Sequence, residues 1–209
     1  MERPTSKRKE REKEARREAI LDAAARVLSV KSYYEATLDE IASEAELAKG
    51  TLYNYYKDKP ALFFSLMRRG FDLFQRHVSE AIVGGGPLKD LVYRTLKNSL
   101  CHMAECKYML RVIISAGAHL SEDNQQELAE MIRDELELAA GKLAEAFAVQ
   151  PETENLPESD RLTGAKMLFA SARQIHIRLA TSLDNQLQEE EIENYTRLLV
   201  RALTTEKPE

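Results

Sequence analysis

Apolar residues recur along this chain at offsets of three and four, the spacing of one face of a helix. Ile20, Leu21, Ala24, Val27 and Leu28 form the first such stripe. Thr37-Leu-Asp-Glu40 then has the pattern of a capping box, in which a hydroxyl and a carboxylate satisfy each other's backbone N–H groups. It predicts a short helix with Leu38, Ile41, Ala42 and Ala45 inward. A break near Glu46 precedes a second short helix, predicted from Lys49 to Tyr55. Asp58 suits an N-cap and Pro60 the first turn of a long helix bearing Leu62, Phe63, Leu66, Met67, Gly70, Phe71, Phe74 and Val78. Gly84 to Pro87 end it. Beyond lie predicted helices over Leu88–Met103 and Lys107–Ala116, the latter with Gly117 as its cap. A helix capped by Ser121 runs to about Ala148, with Leu128, Ile132, Leu136, Leu143 and Phe147 inward. A polar loop at 150–159 separates it from helices over Asp160–Leu183 and Glu189–Thr204. With no repeat and no strand alternation, the pattern predicts an all-α chain of about nine helices.

Composition narrows the class. Of 209 residues, 44% are hydrophobic and 31% charged, enough apolar material for a core and too much for a wholly disordered chain. Gly 8 and Pro 6 supply few of the turns that a β-sandwich or barrel requires. No apolar run approaches the roughly 18 residues of a membrane span, and the residues after Met1 lack a signal peptide's apolar stretch. Two cysteines make no disulfide framework. The expectation is a cytoplasmic protein with no membrane partner. The net charge of −5 is unevenly spread, because residues 1–17 carry eight basic and four acidic side chains. A polyanion would therefore meet the N-terminal end of an otherwise acidic body.

Residues 17–63 carry the informative constellation. Three helices, the middle and third short and tightly joined, have the organisation of a helix-turn-helix, whose second helix enters the DNA major groove. Gly50 would let a phosphate approach the backbone, while Lys49, Thr51, Tyr53, Asn54 and Tyr55 offer groups suited to phosphates and base edges. Thr37 can donate from its hydroxyl while accepting as a cap. The run Lys49-Gly-Thr-Leu-Tyr-Asn-Tyr-Tyr-Lys-Asp-Lys59, with Thr37-Leu38, Ile41-Ala42 and the Ile20-Leu21 stripe, resembles the TetR family of bacterial transcriptional repressors over about 47 residues.

That resemblance implies an N-terminal DNA-binding domain over residues 1–60, with a basic arm, and a helical effector-binding and dimerisation domain over 61–209. It implies phosphate contacts from Tyr53 and Lys59. The partners it implies are an inverted-repeat operator in double-stranded DNA, a small-molecule effector, and a second copy of the chain. The function expected is sequence-specific transcriptional regulation, most simply repression, released or modulated by the effector. Three positions depart from the family pattern: Tyr33 and Glu46 stand where glycine is usual, and Ala48 replaces a serine cap. A helical protein-interaction adaptor with a degenerate helix-turn-helix is the alternative that these departures raise.

Elsewhere the chemistry is sparse. Phe71, Phe74, Tyr93, Met103, Tyr108, Phe169 and His176 are candidates for an effector pocket that takes an apolar or amphipathic ligand. Leu168, Ala172, Ile175, Tyr195, Leu198, Leu199 and Ala202 lie on the last two helices, through which the resemblance implies a four-helix dimer interface. Cys101 and Cys106 are five apart and diverge on a helix, and His102 with Cys106 supplies too few ligands for a metal. No catalytic motif, phosphate loop or dinucleotide fingerprint is present, so neither an enzyme nor a cofactor is expected. Along the arm, Glu12 and Arg16 are spaced to pair on a solvated helix, the alternative being contact with DNA.

Overall fold

The computed structural model describes residues 4–116, 119–181 and 189–204, so the expected cap at Gly117 lies outside them. Among the described residues nine helices occur: α1 (Pro4–Val30), α2 (Leu38–Glu44), α3 (Lys49–Tyr53), α4 (Lys59–Val83), α5 (Leu88–Glu105), α6 (Lys107–Ala116), α7 (Glu122–Ala148), α8 (Glu158–Thr181) and α9 (Glu189–Thr204). They form an all-α architecture, and none is long and apolar enough to cross a membrane. The residues fall into two compact units, one comprising 1–70 with 106–129 and the other 71–105 with 130–209.

In the first unit α1 packs on α2 and α6, and α2 on α3. Of the predicted stripe, Ile20, Leu21, Ala24 and Leu28 are buried and Val27 is part-buried at its edge; Ala23 joins them in the core with Ile41, Leu52, Leu62 and Phe63. The capping box forms as its sequence requires. Thr37 Oγ1 accepts the Glu40 N–H at 3.2 Å, and Glu40 Oε2 accepts the Thr37 N–H at 3.1 Å. Asp58 Oδ1 likewise accepts the Ala61 N–H at 2.8 Å and starts α4. Tyr33, at a position where a side chain was an anomaly, is buried against Phe63 with ring centroids 5.2 Å apart.

The second unit is held by α5 against α8 and α9, and by α8 against α9. Leu96, Leu100, Ala172, Ile175 and Ile192 make one buried cluster, with Tyr93, Met103 and Tyr195 packed on it. At Gly164 a Cβ would collide with Leu203, so the bare backbone there lets α9 close on α8. Leu143 and Phe147 of α7 are fully buried, but Leu136, on the same face two turns earlier, is 41% exposed because α7 runs on past that core.

The α2–α3 junction is a Schellman-type stop. The Leu47 N–H donates to Ala42 O at 2.9 Å and the Glu46 N–H to Ser43 O at 3.0 Å, which places Glu46 in the left-handed region at φ 56°. A side chain there costs about 1–2 kcal/mol through contact of its Cβ with the backbone. Glu46→Gly should therefore raise the midpoint of urea unfolding, by about 1 kcal/mol in stability at an unchanged denaturant slope. An unaltered or lower midpoint would show that the left-handed residue carries no strain.

Candidate nucleic-acid interface

The third helix is only five residues long and has no side-chain cap at Ala48. So short a helix does not persist alone. It is held by Leu52, fully buried beneath it, and by backbone hydrogen bonds from Thr51 and Leu52 to Ala48 O. The predicted extension to Tyr55 does not form, because the Asn54 and Tyr55 N–H groups donate only three residues back, to Thr51 O and Leu52 O. Tucking Leu52 inward leaves Lys49, Gly50, Tyr53 and Asn54 exposed on the opposite side, with Thr51 and Tyr55 part-exposed at its margins. Thr37 is exposed as well. Tyr53 itself is 43% exposed.

The cations of this surface are placed individually. Lys49 Nζ donates to Asp39 Oδ2 at 2.7 Å, which raises its pKa, and stands 6.0 Å from the Tyr53 ring centroid. Lys59 is part-buried; desolvation lowers its pKa despite Glu40 nearby. Its ammonium lies 4.5 Å from the Tyr33 ring centroid and donates to Tyr34 O at 3.3 Å. Lys31 donates to Glu40 Oε1 at 2.5 Å, and this hydrogen bond is the main reason that the Glu40 pKa falls. Arg26 pairs with Glu44 at 2.5 Å. Gly50 has no heavy atom within 4 Å of where a Cβ would project, so nothing inside the chain requires glycine there.

Two contacts tie this surface to α6 and to the residues just beyond it, and neither is signalled in the sequence. The Tyr33 N–H donates to Ser115 Oγ at 3.0 Å, and the Tyr34 ring meets the His119 ring at a centroid distance of 4.7 Å. Residues so far apart in sequence carry no local signal of such pairing.

The second unit gathers some of the other candidates. Phe74 and Phe169 meet edge to face at 5.4 Å, and Phe74 also touches the buried His102 ring at 5.4 Å. His77 stands 6.0 Å from His102, with its Nε2 3.4 Å from Glu105 Oε2. Neither His77 nor His102 was among the pocket candidates. Phe71 is buried, while His176 is part-buried, and desolvation lowers its pKa. Tyr93 and Met103, candidates for the pocket, share a cluster with Ala172, Ile175 and Tyr195, candidates for the dimer surface. Tyr108 belongs to the first unit. Of the dimer candidates, Leu168, Ala172, Ile175 and Leu199 are buried within the chain, while Leu198 is 61% exposed and Ala202 is exposed too. Cys101 and Cys106 are free, and no group of three potential ligands that could hold a metal occurs among the described residues.

Comparison with known proteins falls on the same segment. The family described as bacterial regulatory proteins, tetR family, matches residues 20–66. The HTH-type transcriptional regulator HbdR of Aromatoleum sp. (strain CIB) is 32% identical over 71 residues, 34% of this chain and 31% of that protein. The alignment thus spans about a third of that relative. The transcriptional regulator FadR from Bacillus subtilis, solved in complex with stearoyl-CoA, superposes with a TM-score of 0.65 at 19% identity, covering 90% of this chain and 97% of its own. AibR, solved in complex with isovaleryl coenzyme A and operator DNA, gives 0.64 at 22% identity, covering 90% and 98%. These two share the fold.

Burial and, secondarily, Asp58 push the Tyr33 phenol up to about 12 from its ordinary 10.0. The folded chain then holds that proton more tightly than the unfolded one, so stability is intact below the ordinary value and is lost as pH rises towards about 12. Tyr33→Phe should keep the ring packing and make the fall of the urea midpoint at alkaline pH shallower, the remaining slope coming from other shifted groups, among them Tyr56, Tyr108 and Lys49, whose pKa values are raised, and Lys59, whose pKa is lowered. An equally steep fall in the variant would place the alkaline loss elsewhere.

Proposed function

Because the chain belongs to the tetR family of bacterial regulatory proteins through its N-terminal helices, we propose that it is a homodimeric transcriptional regulator that reads duplex DNA with α3 and answers to a small-molecule effector. The observation that carries this reading is the exposed row of Lys49, Gly50, Tyr53 and Asn54 above the buried Leu52. Here Lys49, Tyr53, Lys59 and Thr37 supply phosphate contacts, and Thr51, Asn54 and Tyr55 supply base-edge readout. Gly50 gives the clearance for the DNA, since no internal contact explains it.

The dimer forms through α8 and α9. Met167 at 49% exposure, Leu198 at 61% and the exposed Ala202 give these helices an apolar outer surface, distinct from their inward residues. The effector is amphipathic and binds in the second unit near Phe74 and Phe169. An acyl-coenzyme A thioester is the class suggested by the ligands named for AibR and for the Bacillus subtilis FadR. Within the first unit, Ser115 of α6, with the adjoining His119, grips the Tyr33–Tyr34 loop against which Lys59 rests. A ligand that favours another placement of α6 shifts the population of heads able to dock.

Selection from a random duplex library tests the reading. The expected product is an inverted repeat whose half-sites lie about one helical turn, or a multiple of it, apart. A protein that recovers no sequence even at low salt would instead be the interaction adaptor. On the selected duplex, Gly50→Ala should weaken binding on the order of tenfold or more while leaving thermal stability equal or higher, because alanine favours a helix by about 0.5–1 kcal/mol. Full affinity in that variant would remove the clearance role.

Leu198→Glu should yield folded monomers by sedimentation, whereas Leu199→Glu, buried within the chain, should be destabilised by several kcal/mol. A folded dimer for Leu198→Glu would move the interface off α9.

A further inference from the structure

The first helix extends well beyond its core. Ile20 is its first buried residue, and residues 7–19 are all exposed. From Pro4 to Ala19 it spans about 24 Å at 1.5 Å per residue. The pair expected between Glu12 and Arg16 does not form; Glu12 pairs with Arg8 at 2.8 Å. In this register four of the cations share one face, while Lys7 and Arg11 lie among the carboxylates. Lys9, Lys13, Arg16 and Arg17 fall within an arc of about 100°. Glu10, Glu14, Glu18 and Asp22 recur every four residues along the adjoining stripe.

The base of the helix fixes which way each stripe faces. Glu18 and Asp22 both bind Arg69 Nη1 of α4, at 3.1 and 2.7 Å. Arg17, on the basic stripe, stands 5.8 Å from the ring of Tyr56, three residues past the end of α3. The foot of the basic stripe therefore stands beside the segment that follows α3, with Glu14 and Glu18 also near Tyr56. Among the described residues no carboxylate pairs with Lys9, Lys13 or Arg16. Lys9 with Lys13, and Lys13 with Arg17, repel at the i,i+4 spacing, a repulsion that an anion lying along this face would relieve.

We infer that residues 9–17 form a second DNA-binding element, a rigid helical arm whose Lys9, Lys13, Arg16 and Arg17 lie along phosphates flanking the half-site read by α3. This rests on the proposed DNA-reading function and extends it beyond the helix-turn-helix. The occupant is duplex DNA and not a membrane surface, because the exposed segment has no apolar side chain larger than alanine with which to anchor in lipid. It adds affinity without base specificity, since phosphates are sequence-blind.

The test uses the full-length chain and the duplex recovered by selection, made both trimmed to its inverted repeat and with flanks of about one helical turn on each side. Two triple variants each remove three positive charges: Lys9→Gln, Lys13→Gln, Arg16→Gln on the stripe, and Lys7→Gln, Arg8→Gln, Arg11→Gln off it. On the flanked duplex the stripe variant should bind on the order of tenfold or more weakly, with a dimer's log-affinity against log-salt slope shallower by about 5. On the trimmed duplex it should resemble the unaltered chain, and the off-stripe variant should lose much less on either. Equal losses for both variants, or losses independent of flanks, would reduce the arm to general charge and overturn the inference. An unaltered stripe variant would overturn it too, leaving α3 as the reader. A wild-type chain that selects no duplex would fail the DNA-reading function and the arm together, and binding of anionic vesicles by the stripe would reassign it to membrane.

Discussion

The exposed row on α3 depends on the burial of one leucine. A helix of five residues has too few internal hydrogen bonds to persist in water, and α3 has no side-chain cap to help it. Leu52, wholly enclosed by the first unit, supplies what the backbone cannot and fixes the rotation of the helix about its axis. Every functional statement about Lys49, Gly50, Tyr53 and Asn54 follows from that rotation. The Schellman stop at Glu46 sets the angle at which α3 leaves α2, and the capping box at Thr37 sets where α2 begins.

The three positions that depart from the family pattern have three different physical consequences. Tyr33 is absorbed: its ring packs on Phe63, its N–H is taken by Ser115, and its face holds the Lys59 ammonium. Glu46 is tolerated in a left-handed conformation because the two backbone hydrogen bonds of the stop hold it there. Ala48 leaves the start of α3 without a side-chain acceptor, which shifts still more of that helix's stability onto Leu52. None of the three alters the exposed row that faces outward.

Much of this was legible in the sequence because it is local. The capping box, the cap at Asp58, the inward face of Ile20 to Leu28 and the helical identity of nearly every segment follow from spacing and short-range hydrogen bonding. What was not legible depends on partners distant in the chain. The sign of Glu46's φ, the grip of Ser115 and His119 on Tyr33 and Tyr34, and the meeting of His77 with His102 arise only once helices pack. Periodicity also cannot tell an apolar residue that faces its own core from one that faces a partner. Leu198 and Leu199 are neighbours of equal hydrophobicity, yet one is exposed and the other buried, and Leu136 shares the face of Leu143 without sharing its burial. The arm shows the converse: its charges read as a solvated run until the helical register gathers four of its cations on one face.

The central claim is that a five-residue helix, seated by Leu52, is the surface that meets the DNA. Amide hydrogen exchange tests it most directly. In the free chain the amides of residues 49–54 should exchange rapidly, as in a helix of one turn, while those around Leu62 and Leu66 in α4 exchange slowly. Saturation with selected duplex should slow exchange over 49–54 and leave the interior of α4 unchanged. Protection confined to other segments, with 49–54 exchanging as fast as before, would contradict the account.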